Sequence, residues 1–229
     1  MERKSVLVGL VMFCICAAGI LCLSGTAEAA LTSELVGEGA PDMPATYNLR
    51  IFTNNGMYND SDEVVLKVEV RPVAGDDEKV EFKVVNDSEV DCSIARIYFD
   101  DGALLGVAEI VNGPGTDFEQ PATPSDMPAR NELDPPFVTT QDFSAGAENP
   151  PPHKGINPGE WLKIIFDLQE GFAYADVLEQ LDELTLRIGA HVIAFPDVSS
   201  ESAVTPEPAT MIVLGLGGLV LCIKRRRAR

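Results

Sequence analysis

Basic side chains are scarce: 17 Lys and Arg stand against 36 Asp and Glu, for a formal net charge of -19. A surface of that sign repels a phosphate backbone, which excludes nucleic acid as a partner. Histidine is scarcer, with His153 and His191 alone. Nucleophilic hydrolysis usually takes its base from His. Here His153 follows Pro150-Pro151-Pro152 in a loop and His191 falls on the polar register of a strand, so both read as solvent or rim residues. No Gly-x-Ser-x-Gly and no Gly-rich phosphate or dinucleotide loop is present. Aromatic residues make up 7%, with a single Trp, so the stacking platforms of a sugar-cleaving cleft are lacking. Chance pairs among so many acids say nothing about glycoside hydrolysis. Trp161 opens an alternating stretch and reads as core or sheet-edge packing ahead of sugar stacking. We therefore expect no enzyme and no cofactor.

Cysteine is also sparse where it would matter. Of five, Cys14, Cys16, Cys22 and Cys222 lie near the two ends, and Cys92 stands alone between them. No disulfide can form within the central part. Cys92, in Asp91-Cys92-Ser93, reads as a small strand residue rather than a reactive thiol.

Long apolar runs occur at the two ends. Arg3 and Lys4 precede a run from Val6 to Leu23, followed by Ala27-Glu28-Ala29. Positive, then apolar, then small-x-small is the order of a secretory signal, with cleavage expected after Ala29. The competing reading is an uncleaved anchor. Lipidation is rejected, because Phe13, Ile15 and Leu21 precede the three cysteines where a small residue is needed. At the other end Pro206-Glu207-Pro208 leads into an apolar stretch, residues 209 to 223, then Lys224, Arg225, Arg226, Arg227 and Arg229. As a helix that stretch is about 22 Å long against a hydrocarbon core of about 30 Å, so it spans only with thinning or snorkelling. The basic cluster sets the cytoplasmic side and leaves the bulk of the chain on the far side.

Pro206-Glu207-Pro208, a short helix containing Gly215, Gly217 and Gly218, and a terminal arginine cluster resemble the PEP-CTERM sorting signal of Gram-negative bacteria. The resemblance implies recognition by an exosortase, removal of the tail, and delivery to the cell surface or an extracellular polysaccharide matrix. An ordinary tail anchor predicts the same orientation but retention at the membrane.

Residues 30 to 204 are one ordinary domain by length and carry ten basic against 33 acidic residues. Tyr47, Leu49 and Ile51, the run Val64 to Val70, and Val80 to Val84 alternate as half-buried strands. Ile94 to Phe99, Asp100-Asp101-Gly102 and Ala103 to Val111 predict a hairpin, because Asp-Gly suits a tight two-residue turn. From Asn112 to Glu160 the chain holds 10 of its 16 prolines and predicts long loops across one end of the domain, with a short strand-like stretch at Pro136 to Thr140. Trp161 to Leu168 and Thr185 to Phe195 read as strands, and Tyr174 to Leu184 as the one helix. The expectation is a mainly β fold: a single antiparallel β-sandwich with one short helix, between an N-terminal signal peptide and a C-terminal transmembrane helix. Tyr98 to Gly106, Asn157 to Glu160 and Arg187 to Val192 also resemble ectodomains recurrent among PEP-CTERM proteins, which supports the fold and transfers no site.

For metal, Asp60, Asp62 and Glu63 are weak calcium candidates, and Asp76-Asp77-Glu78 and Asp87 to Asp91 are further acid clusters. None has the Gly of an EF-hand loop, so solvated turn acids are the plainer reading. Asn59-Asp60-Ser61 and Asn86-Asp87-Ser88 match the glycosylation pattern, which a bacterial source leaves unused. The sequence thus predicts a non-catalytic exported surface or matrix protein. Its expected partners are the Sec export machinery, an exosortase and, transiently, the inner membrane. The alternative is a polysaccharide-binding module using loops 112 to 160, with exopolysaccharide as partner and calcium assisting.

Overall fold

The computed structural model describes residues 44–59, 61–100 and 102–205. Alternation of apolar and polar residues builds β2 (Leu66–Val73) and β3 (Asp76–Asn86), joined by a tight turn in which Gly75 takes φ +80. Val68, Val70, Val80, Phe82 and Val84 point inward and are fully buried. On the opposite face Glu69, Arg71, Glu81, Lys83 and Lys163 form a ladder of ion pairs, with Arg71 to Glu69 at 2.6 Å and Lys163 to Glu81 at 3.0 Å. One face is therefore core and the other solvent, the usual arrangement for an antiparallel sheet.

The remaining strands are β1 (Ala45–Ile51), β4 (Ser93–Asp100), β5 (Leu104–Asn112), β6 (Phe118–Glu119), β7 (Ser144–Ala147), β8 (Trp161–Leu168), β9 (Arg187–Ile193) and β10 (Glu201–Val204). Their order is β5-β8-β3-β2-β1-β10-β9-β4-β7-β6, antiparallel throughout. The fold is mainly β, as the sequence predicts. β1 joins two halves: Ala45 to Leu49 pair with β2, whereas Arg50 and Ile51 pair with β10. The halves meet through aromatic rings. Phe82 and Phe166 from one touch Phe99 from the other, with centroids 5.1 and 4.6 Å away and rings edge to face, a geometry that adds to simple burial.

The predicted hairpin does not form. β4 lies between β9 and β7, and β5 pairs with β8 in the other half. Asp100 thus ends a strand of one half, and Gly102 leads into a strand of the other. Both sides are held by other elements: Arg187 binds Asp100, and the Ala103 N–H donates to Gln180 Oε1 at 2.6 Å. Gly102 takes φ +95 where a Cβ would press on Gln180 and Leu186.

The Pro-rich loops cover a face, not an end. Ala122, Met127 and Phe137 pack on Tyr98 of β4 and Val204 of β10, forming a second apolar cluster behind the strands. Gly189 of β9 makes room for it, since a Cβ there would sit 2.4 Å from Met127 Sδ. This is why β4 is buried on both faces. Pro136 to Thr140 makes no strand; the loops instead contribute β6, β7 and a helical turn, α1 (Pro151–Lys154). The predicted helix is α2 (Tyr174–Glu183), with Val177 and Leu181 buried. Asp176 accepts the Ala173 N–H at 2.7 Å to start it, and Leu184 closes it in the left-handed region at φ 60. Among the described residues no helix is long and apolar enough to cross a membrane.

Candidate functional site

Several predicted site residues lie outside the described residues: Ala27 and Ala29, Asp60, Pro206, Glu207 and Pro208, and the basic cluster Lys224 to Arg229. Of the calcium candidates, Asp62 and Glu63 are exposed, and Glu63 accepts a bond from Ser61 Oγ at 3.3 Å. Asp76 is held below its ordinary value by the hydrogen bond from Lys79 at 2.6 Å, and Asp87 pairs with Lys67 at 2.8 Å. Among the described residues no three His, Cys, Asp or Glu side chains converge as metal ligands.

The other singled-out residues are occupied structurally. Cys92 is buried, which pushes its thiol up, and it lies against the Asn86 amide. Asn86 itself is fully buried, with Nδ2 donating to the carbonyls of Cys92 and Ile156. Trp161 packs at the start of β8 against Gly113, with the Lys163 ammonium 5.7 Å above its ring. His153 is exposed on α1. His191 is half-buried, which departs from a plain solvent position: its Nδ1 lies 2.9 Å from the Arg96 guanidinium, which also donates to the Thr123 carbonyl at 2.6 Å. Burial first, and then the Arg96 charge, lower the ring to about 4, so the neutral imidazole accepts from Arg96.

The most strongly built place is the end of the fold. β10 lies between β1 and β9, and all four of its residues are buried. Glu201, 1% exposed, accepts the Thr53 hydroxyl at 2.5 Å and the Asn55 N–H at 2.9 Å. Asp197 accepts the Met57 N–H at 2.9 Å and the Ser199 hydroxyl, bonds that hold its carboxyl below the usual range. Tyr58 stacks on Phe195 at 5.5 Å. Two carboxylates and one ring pair thus clasp the loop after β1 to the loop before β10. Beyond β10, Thr205 is still 3% exposed; its N–H donates to Ile188 O at 2.9 Å and its Oγ1 accepts from Ile188 N at 3.2 Å.

A cleft of about 640 Å³ opens beside the end of β10. Val204 and Thr205 form part of its wall, with Phe52 and Leu133 as apolar lining. Seven polar side chains besides Thr205 also line it: Thr53 and Arg187 are bonded, to Glu201 and to Asp100, and the other five are Arg50, Asn54, Asn59, Glu132 and Asp134. None of the five makes a side-chain hydrogen bond or ion pair with any described residue. Sequence reasoning missed this convergence, because the five residues come from two distant segments and share no spacing.

Residues 204–227 match the PEP-CTERM protein-sorting motif. The match begins at Val204, the final residue of β10. The chain therefore carries this sorting motif, which implies recognition by an exosortase and a protein that is first membrane-anchored and then exported to the cell surface. No curated protein and no solved structure matches the chain.

Proposed function

We propose that the chain is a non-catalytic surface or extracellular-matrix protein whose C-terminal tail is processed by an exosortase. In this reading the mature domain is a β-sandwich of two facing sheets joined through β1. Sec exports the chain, and the signal is removed after Ala29. Residues 209 to 223 then anchor it transiently, with Lys224 to Arg229 inside, and cleavage follows near Pro206-Glu207-Pro208. The observation that carries the reading is the sorting motif at residues 204–227. The fold is compatible with it, because cleavage beyond Thr205 leaves every buried residue among the described ones in place. Proline suits a processing site, since it keeps the chain extended and accessible.

Intact-mass analysis of protein from host membranes and from culture medium tests this. The expected medium species runs from Ala30 to the Pro-Glu-Pro region. A membrane species still carrying Arg229 would make it a tail-anchored protein. Glu207→Ala is expected to leave full-length protein in the membrane, and unchanged release would count against the sorting reading.

A further inference from the structure

We infer that the rim of the cleft around Thr205 is a docking surface for the sorting protease, so that the enzyme engages the folded domain together with the tail. The inference rests on the sorting reading above. Its first support is distance. The fold holds the chain through Thr205, which is buried and bonded both ways to Ile188. Pro206 has no N–H with which to extend the ladder. Only Pro206, Glu207 and Pro208 separate this point from the apolar run that begins at Ala209, and three extended residues span about 10 Å. The headgroup zone on one side of a bilayer takes up roughly 5 to 8 Å of that. An enzyme cutting within these three residues therefore works against the end of the domain, and whatever surrounds Thr205 meets its outer surface.

The second support is chemical and independent of the first. Arg50, Asn54, Glu132 and Asp134 are exposed, Asn59 is half-buried, and none of the five side chains is bonded to a described residue. Charged groups on the outer face of β2, β3 and β8 are by contrast cross-paired. Polar groups free to bond outward and ringed about an apolar floor are what a protein interface uses at its rim. Rim charges of this kind mainly set how fast partners meet.

Pulse-chase release in the host tests the inference. The combined reversal Arg50→Glu, Glu132→Lys and Asp134→Lys is expected to slow release of the tail by about fivefold or more, an effect on encounter rate. Glu109→Lys, on the exposed edge strand β5, is expected to change nothing. The same reversal is then placed in a chain with a Gly-Ser spacer of about 12 residues between Thr205 and Pro206, long enough to separate motif from rim. There it is expected to have no further effect. Release of the reversed chain at the wild-type rate without the spacer would overturn the inference and leave the sorting reading standing. Equal slowing with and without the spacer would also overturn it, since the defect would then lie in folding or export. A wild-type chain that is never released would remove the sorting reading first, and the inference with it.

Discussion

Arg187 on β9 holds Asp100 at the end of β4 with two prongs, Nε at 2.9 Å and Nη2, both donating to the same carboxylate oxygen. The guanidinium also donates to the carbonyls of Pro135 and Pro136, each at 2.7 Å. One side chain therefore joins β4, β9 and the Pro-rich loop, with 11% of it exposed. Removing one member of such a pair leaves a desolvated charge behind, which costs about 3 kcal/mol. Asp100→Ala is expected to lower the urea midpoint accordingly. Arg187→Lys is expected to lower it as well, because an ammonium cannot reproduce the planar fork. A midpoint unchanged in both variants would show the pair to be energetically idle.

Phe166 is the hub of the core. Its ring meets Phe82, Phe99 and Phe143 edge to face, with centroids between 4.6 and 5.7 Å. Phe166→Ala opens a cavity between the two halves and is expected to cost about 3 to 5 kcal/mol. Phe166→Leu should cost clearly less, and equilibrium denaturation of the two variants side by side checks the order.

Glu201 is a buried acid bonded to neutral donors. Glu201→Gln turns one acceptor into a donor facing Thr53 or Asn55, so at least one buried group loses its partner at a cost of about 1 to 3 kcal/mol. Faster amide exchange at Asn55 and Met57 is the expected sign that the clasp has loosened. Glu201→Ala should loosen it further.

His191 gives stability a pH dependence. Its folded value is about 4 against an ordinary 6.5. Between those values the unfolded chain binds the proton and the folded chain does not, so the contribution is complete above about pH 6.5 and declines as pH falls toward 4. His191→Gln is expected to flatten the melting temperature over that window relative to wild type. Parallel melts from about pH 4.5 to 7 read the difference directly. Equal slopes would place the effect on the carboxylates.

Where one face of a strand is wet, its pattern was readable. Leu66 to Val70 and Val80 to Val84 alternate because Glu69, Glu81 and Lys83 face solvent. β4 is different: loops cover its outer face, so Ile94 to Phe99 reads as a nearly continuous apolar run. An Asp-Gly turn following it looked like a hairpin, but turn chemistry reports local bending and not which strand lies alongside. β7, with the sequence Ser-Ala-Gly-Ala, has almost no strand propensity and exists because Arg96 to Tyr98 pair with it. β10 begins with a glutamate whose acceptance of Thr53 and Asn55 spans some 146 positions of sequence, a relation no local pattern encodes. At the candidate site the sorting motif itself was legible as a motif, whereas the cleft beside it required the fold to bring residues 50 to 59 next to residues 132 to 134.

β10 is four residues long, yet among the described strands it alone lies between β1 and β9. A chain that emerges from its N-terminus onward can bring Phe82, Phe99 and Phe166 together early, but β1 and β9 gain their shared neighbour only when Glu201 to Val204 arrive. Until then β1 and β9 each keep an open edge, the feature that invites pairing with other chains. Synthesis that stops short of Glu201 leaves those edges open permanently. The strand that pairs with both edges ends at Val204, the residue at which the sorting match begins, so the address follows directly on the strand that covers them.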